Sequence, residues 1–206
     1  MNKAIVESIG TFFLVLTIGL AAVHGLAGDL APIAIGAALM AMIYAGGHVS
    51  GAHYNPAVTI AIAVRGKGDS RDIVPYVIAQ LVAACLAAVA VGFLAGESTI
   101  EAMKIEVGPA IVAEILFTFA LVWVILNVAT SEGTANNQYY GLAIAVIVTG
   151  GAYAAGPISG AAFNPAVTVA LWLMGPTEQA NIWVYFVAQV TGGLLAALAF
   201  RSFVRE

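Results

Sequence analysis

The stretch HVSGAHYNPAVTIA, His48 to Ala61, returns as PISGAAFNPAVTVA, Pro157 to Ala170, 109 residues further along the chain. Each copy holds a short apolar run that opens on Asn-Pro-Ala: Asn55, Pro56 and Ala57 in the first, Asn164, Pro165 and Ala166 in the second. Asn is a favoured helix N-cap, and Pro suits the first helical turn because its missing N–H would have no partner there. Each motif therefore predicts a helix start. About ten residues at 1.5 Å rise give roughly 15 Å, half the ~30 Å hydrocarbon core of a bilayer. In lipid, such a helix enters without crossing.

Lipid is the setting that the composition demands. Of the 206 residues 62% are hydrophobic and only 9% charged, whereas a soluble domain carries about a quarter charged residues. So few charges could not cover a water-facing surface. Apolar stretches long enough to cross run approximately from Ala4 to Val23, Pro32 to Val49, Ile73 to Ala95, Pro109 to Ala129, Tyr139 to Ala155 and Asn181 to Phe203, which predicts an all-α membrane protein of six spans. The first, preceded by Lys3, resembles a secretory signal, but it is long for an h-region and has a counterpart later in the chain, so it reads as retained. Cys85 has no second thiol and reads as a small buried hydrophobe. His24, His48 and His53 are too scattered for a zinc motif. No metal, other cofactor or nucleic-acid partner is expected.

The repeat extends beyond the motifs. VIAQLVAACLAA around Gln80 pairs with FVAQVTGGLLAA around Gln189 at the same offset, and VESIGTFFLV around Glu7 with AEILFTFALV around Glu114 at nearly that offset. The chain reads as one domain, 1–206, of two repeats at about 1–103 and 104–206. Three spans per repeat is an odd number, so the second copy must enter from the opposite face and the halves are inverted. Ala79, Ala83 and Ala87 correspond to Ala188, Gly192 and Ala196. Spacing of four puts each set on one helix face, which predicts close packing in lipid. If the chain crosses six times with both termini inside, Lys3, Arg65, Lys67, Arg71, Arg201 and Arg205 fall on one side and Lys104 alone on the other, in a loop that also holds Glu97, Glu101 and Glu106. Both termini are therefore expected to be cytoplasmic and the loop from Gly96 to Gly108 external.

Ahead of each Asn, the segments Ser50 to Tyr54 and Ser159 to Phe163 read as non-helical backbone at membrane depth. That is tolerable only where the backbone lines a cavity or is buried in protein. Its carbonyls can accept hydrogen bonds, while the two helix N-termini, each carrying roughly half a positive charge, face the same midpoint. Such an arrangement passes a neutral hydrogen-bonding molecule and opposes a cation or proton.

With Glu7, SGAHYNPAVT, Gln80, Glu114, SGAAFNPAVT and Gln189 in place, the chain resembles the aquaporin and glycerol-facilitator family over essentially its whole length. The resemblance implies a right-handed bundle of six transmembrane helices plus two re-entrant half-helices, usually a homotetramer in the lipid bilayer with one pore per subunit. Carried over by position, Asn55 and Asn164 supply donors at the pore centre. The carbonyls of Gly51, Ala52, His53, Gly160, Ala161 and Ala162 become the acceptor ladder, and Glu7 and Glu114 become buried carboxylates bracing the re-entrant loops.

At one place the chain departs from the pattern. In the family an Arg usually follows the second Asn-Pro-Ala and narrows the outer constriction; here that position is Val167. The other constriction positions, counted from the motifs, are Ile35, Ala152 and Ala161. Water-selective members place an aromatic, a His and Arg there, and glycerol-conducting members place aromatics and Arg. A quartet of Ile, Ala, Ala and Val predicts a wider, apolar opening for water and small uncharged solutes such as glycerol, urea or undissociated weak and metalloid acids. A strict water channel is the first alternative. An ion-coupled transporter is the second, since inverted repeats and broken helices also permit it, but beyond Glu7 and Glu114 the spans hold almost no titratable group. No nucleophile, base or metal set suggests an enzyme.

Overall fold

The computed structural model describes residues 2–96 and 99–204; Glu97 and Arg205, used above to orient the chain, lie outside them. Among the described residues, six helical spans have the length and hydropathy to cross a membrane. Their α-helices are α1 (Asn2–Ile18), whose span continues to Val23, α2 (Ala31–Ser50), α4 (Ser70–Ala95), α5 (Val107–Thr130), α6 (Tyr140–Ser159) and α8 (Ile182–Phe203). Two ten-residue helices, α3 (Pro56–Arg65) and α7 (Pro165–Met174), complete the set.

Helix ends differ from the hydropathic reading where tertiary contacts or caps decide. The apolar scan begins the third span at Ile73, but α4 begins at Ser70, because the Asp69 side chain accepts from the Arg71 N–H at 2.9 Å and caps the polar first turn. The Arg71 side chain beside Asp69 holds that exposed carboxyl down at about 2. The fifth span, read as ending at Ala155, continues through Pro157 to Ser159, which places the Ser159 hydroxyl 2.7 Å from Glu114 Oε1. Ser50 and Ser159, read as the first non-helical residues, are the last helical ones. The chain leaves the helix at Gly51 and Gly160, left-handed at φ 87° and 82°.

The bundle is apolar on its outside as well as in its core. On α4 the residues Val74, Ile78, Val82, Leu86, Val89 and Phe93 form an exposed apolar stripe, while Gln80, Ala84, Ala87 and Val91 face inward. An apolar stripe of that length is at home only against lipid or another membrane segment. Beyond α1 the chain makes a π-helical turn, Gly19–Val23. Gly19 is needed there for contact: a Cβ on it would lie 2.4 Å from Val91 and 2.9 Å from Met174 Sδ. Helix α1 packs on α4, and α5 on α8. The small-residue faces sit at these contacts, with Ala83, Ala87, Ala188, Gly192 and Ala196 buried and Ala79 half-buried.

Candidate functional site

Helices α3 and α7 meet cap to cap. Asn55 and Asn164 stand in extended conformation, and their Oδ1 atoms accept from the N–H of Ala57 and Ala166, at 2.9 Å each. The amide nitrogens reach across. Asn55 Nδ2 donates to the Phe163 carbonyl at 2.9 Å, and Asn164 Nδ2 donates to the Tyr54 carbonyl at 2.8 Å. Each half-helix is thus capped by its own Asn and pinned by the other repeat. One hydrogen of each amide is used in that bond and a second remains.

The segments before the caps hold an unusual backbone. Ala52 and Tyr54 have φ of 51° and 49°, and Ala161 and Phe163 have φ of 53° and 49°. A non-glycine residue held there costs on the order of 1–3 kcal/mol and persists only where its surroundings over-determine it. Here two buried carboxylates do so. Glu7 Oε1 accepts from Ser50 Oγ (2.7 Å) and the His53 N–H (2.9 Å), and Oε2 from the Tyr54 N–H (2.6 Å) and Gln80 Nε2 (2.9 Å). Glu114 repeats the pattern with Ser159 Oγ (2.7 Å), the N–H groups of Ala162 (3.0 Å) and Phe163 (2.8 Å), and Gln189 Nε2 (2.8 Å). Two backbone donors of each loop are thus spent on the carboxylate behind it. Among the described residues no hydrogen bond is accepted by the carbonyls of Gly51, Ala52, His53, Gly160, Ala161 or Ala162.

Sequence reasoning missed part of this bracing. Tyr76 donates to the Ser50 carbonyl and Tyr185 to the Ser159 carbonyl, both at 2.7 Å. Thr59 and Thr168 accept from Gln80 and Gln189 at 3.1 Å and 3.0 Å. Each pair is identical and again 109 residues apart, so the repeat offset carried the signal.

One cavity of about 1140 Å³ runs past both loops, and Lys3, Asp72, Met103 and Pro176 are among the residues that line it. Ile35, Ala152, Ala161 and Val167 all line it, as do Asn55, Asn164 and the six residues with free carbonyls. Pro56, Ala57, Pro165 and Ala166 are buried in the first turns of their helices. Glu7 and Glu114 lie behind the two loops, and Cys85, read as a buried hydrophobe, is half-buried on α4 away from the cavity. Among the described residues there is no cluster of three His, Cys, Asp or Glu that could hold a metal.

Comparison with known proteins agrees with this fold. The Major intrinsic protein family profile matches residues 1–149 and 126–206. Aquaporin NIP1-1 of Zea mays is 37% identical over 97% of this chain and 74% of its own length. The Glycerol uptake facilitator protein-like 6 of Lactiplantibacillus plantarum is 35% identical over 98% of this chain and 97% of its own. The X-ray structure of the aquaglyceroporin from Plasmodium falciparum superposes with a TM-score of 0.81 at 26% identity, covering 98% of this chain and 96% of that one. The chain belongs to the major intrinsic protein family, and it is a multi-pass membrane channel for water and small solutes.

Proposed function

We propose that this channel passes water together with larger uncharged solutes, such as glycerol, urea or undissociated weak and metalloid acids, while rejecting ions. The observation that carries this reading is the lining at the outer constriction. Ile35, Ala152, Ala161 and Val167 offer no side-chain donor and little bulk to the cavity. A solute moves along the free carbonyls of one loop, meets the second amide hydrogens of Asn55 and Asn164, and leaves along the carbonyls of the other loop. Ions are opposed twice. Stripping an ion of water in an apolar passage carries an idealised cost on the order of 20 kcal/mol. The half-helix N-termini, each worth roughly half a positive charge, oppose a cation at the midpoint. Stopped-flow light scattering on proteoliposomes should show glycerol or urea uptake, and Val167→Arg should reduce that uptake more than it reduces water flow. Water flow without solute uptake in the parent protein would refute the wide-constriction reading, and ohmic currents under voltage clamp would refute ion rejection.

The working assembly in this proposal is a homotetramer with both termini cytoplasmic. The distribution of Lys and Arg supports the orientation. Glu101→Cys should react with an impermeant thiol reagent in intact cells; labelling only after the membrane is broken would reverse the topology.

A further inference from the structure

The two re-entrant loops match closely except in what stands over their first glycine. A Cβ built on Gly51 would meet the His53 ring, 3.2 Å from Nε2 and 3.3 Å from Cδ2. That ring is fixed: Nδ1 lies 3.1 Å from Thr59 Oγ1, and Tyr76 stands edge-on with centroids 5.1 Å apart. The equivalent of His53 in the second loop is Ala162, whose methyl group cannot reach back over Gly160. A Cβ on Gly160 would meet Met103 Sδ instead, at 3.8 Å, from a different part of the chain.

Met103 belongs to the segment leading into α5, and that segment is tied down. The Met103 N–H donates to the Pro176 carbonyl at 2.8 Å. Beside it Ile100 covers Gly175, where an added Cβ would lie 3.3 Å from both Ile100 Cβ and its carbonyl oxygen. Met103 is half-buried and lines the same cavity as Ala161 and Val167. We infer that Met103 is a fifth specificity-determining residue of the outer constriction, occupying over Gly160 the place that histidine occupies over Gly51, and that it sets the largest neutral solute the pore passes. The inference rests on the wide-constriction reading. Methionine suits this position because it is unbranched, polarizable and carries no hydrogen-bond donor, so it fills an irregular gap yet yields where an aromatic ring would not.

The test is a permeability series for water, glycerol, erythritol and xylitol in proteoliposomes of the full chain. Met103→Ala is expected to raise the erythritol-to-water and xylitol-to-water ratios roughly three- to tenfold, tenfold being about 1.4 kcal/mol of barrier. Met103→Leu should keep the parent ratios and Met103→Phe should lower them. Retained water flow reports that each variant is folded. Unchanged ratios in both the Ala and the Phe variants, with water flow intact, overturn the inference and leave the wide-constriction reading standing if the parent passes glycerol. If the parent excludes glycerol and Met103→Ala admits it, the wide-constriction reading fails while the role of Met103 stands. If neither protein admits glycerol, both fail.

Discussion

Glu114→Ala is expected to abolish water and solute flux, bringing vesicles to the permeability of empty liposomes, with loss of monodisperse protein in detergent. The fully buried carboxylate accepts four hydrogen bonds. Without it Ser159 Oγ can turn to the Ala155 carbonyl, 3.5 Å away, and Gln189 Nε2 keeps Thr168 Oγ1 at 3.0 Å. The N–H groups of Ala162 and Phe163 have no such substitute. Each buried orphan donor costs about 1–3 kcal/mol, a large share of the ~5–15 kcal/mol that separates folded from unfolded protein. The left-handed residues Ala161 and Phe163 also lose what holds them. Glu114→Gln keeps the volume and one acceptor oxygen, so it should be intermediate. Parent-level water flow in Glu114→Ala would remove the carboxylate from its bracing role.

Gly192→Val should prevent folding outright, by more than about 3 kcal/mol, beyond the usual range for overpacking. A Cβ at Gly192 on α8 would lie 2.5 Å from the Ile115 carbonyl oxygen and 3.1 Å from the Phe119 nitrogen, both backbone atoms of α5. Those atoms cannot step aside locally without breaking hydrogen bonds of α5 that lipid would not replace, so relief requires pushing the two packed helices apart. Gly150→Val is the control, because nothing lies within 4 Å of a Cβ placed there. Yield and thermal melting in detergent should separate the two variants sharply. Equal stability would mean that the α5–α8 contact tolerates a wider spacing than the structure has.

The six spans and both half-helices were legible in the sequence because hydropathy and the Asn-Pro start are local signals. Span ends were less so. Ser70, Arg71 and Asp72 fail an apolar scan yet are held by the Asp69 cap, and Pro157 is carried inside α6 because Ser159 must reach Glu114. The repeat offset made the two Asn-Pro-Ala motifs and the Glu and Gln residues legible, whereas the carbonyl ladder and the four constriction positions were read from the family resemblance. What the offset could not show is anything that breaks the symmetry. His53 stands over Gly51 from within its own loop, whereas Met103 reaches Gly160 from a distant segment held by the Pro176 carbonyl, 73 positions away along the chain. The bonds from Asn55 to Phe163 and from Asn164 to Tyr54 are likewise non-local; only the inversion of the halves, a parity argument, brings the two ends together.

Those crossed bonds set a timetable for biosynthesis. Asn55 leaves the ribosome 108 residues before the carbonyl it needs. At ~5–20 residues per second, that is roughly 5–20 s during which the first half-helix has no partner for its amide. The two crossed bonds can therefore close only after both halves have been made, so the pairing of the half-helices is late in synthesis however early the first three spans insert.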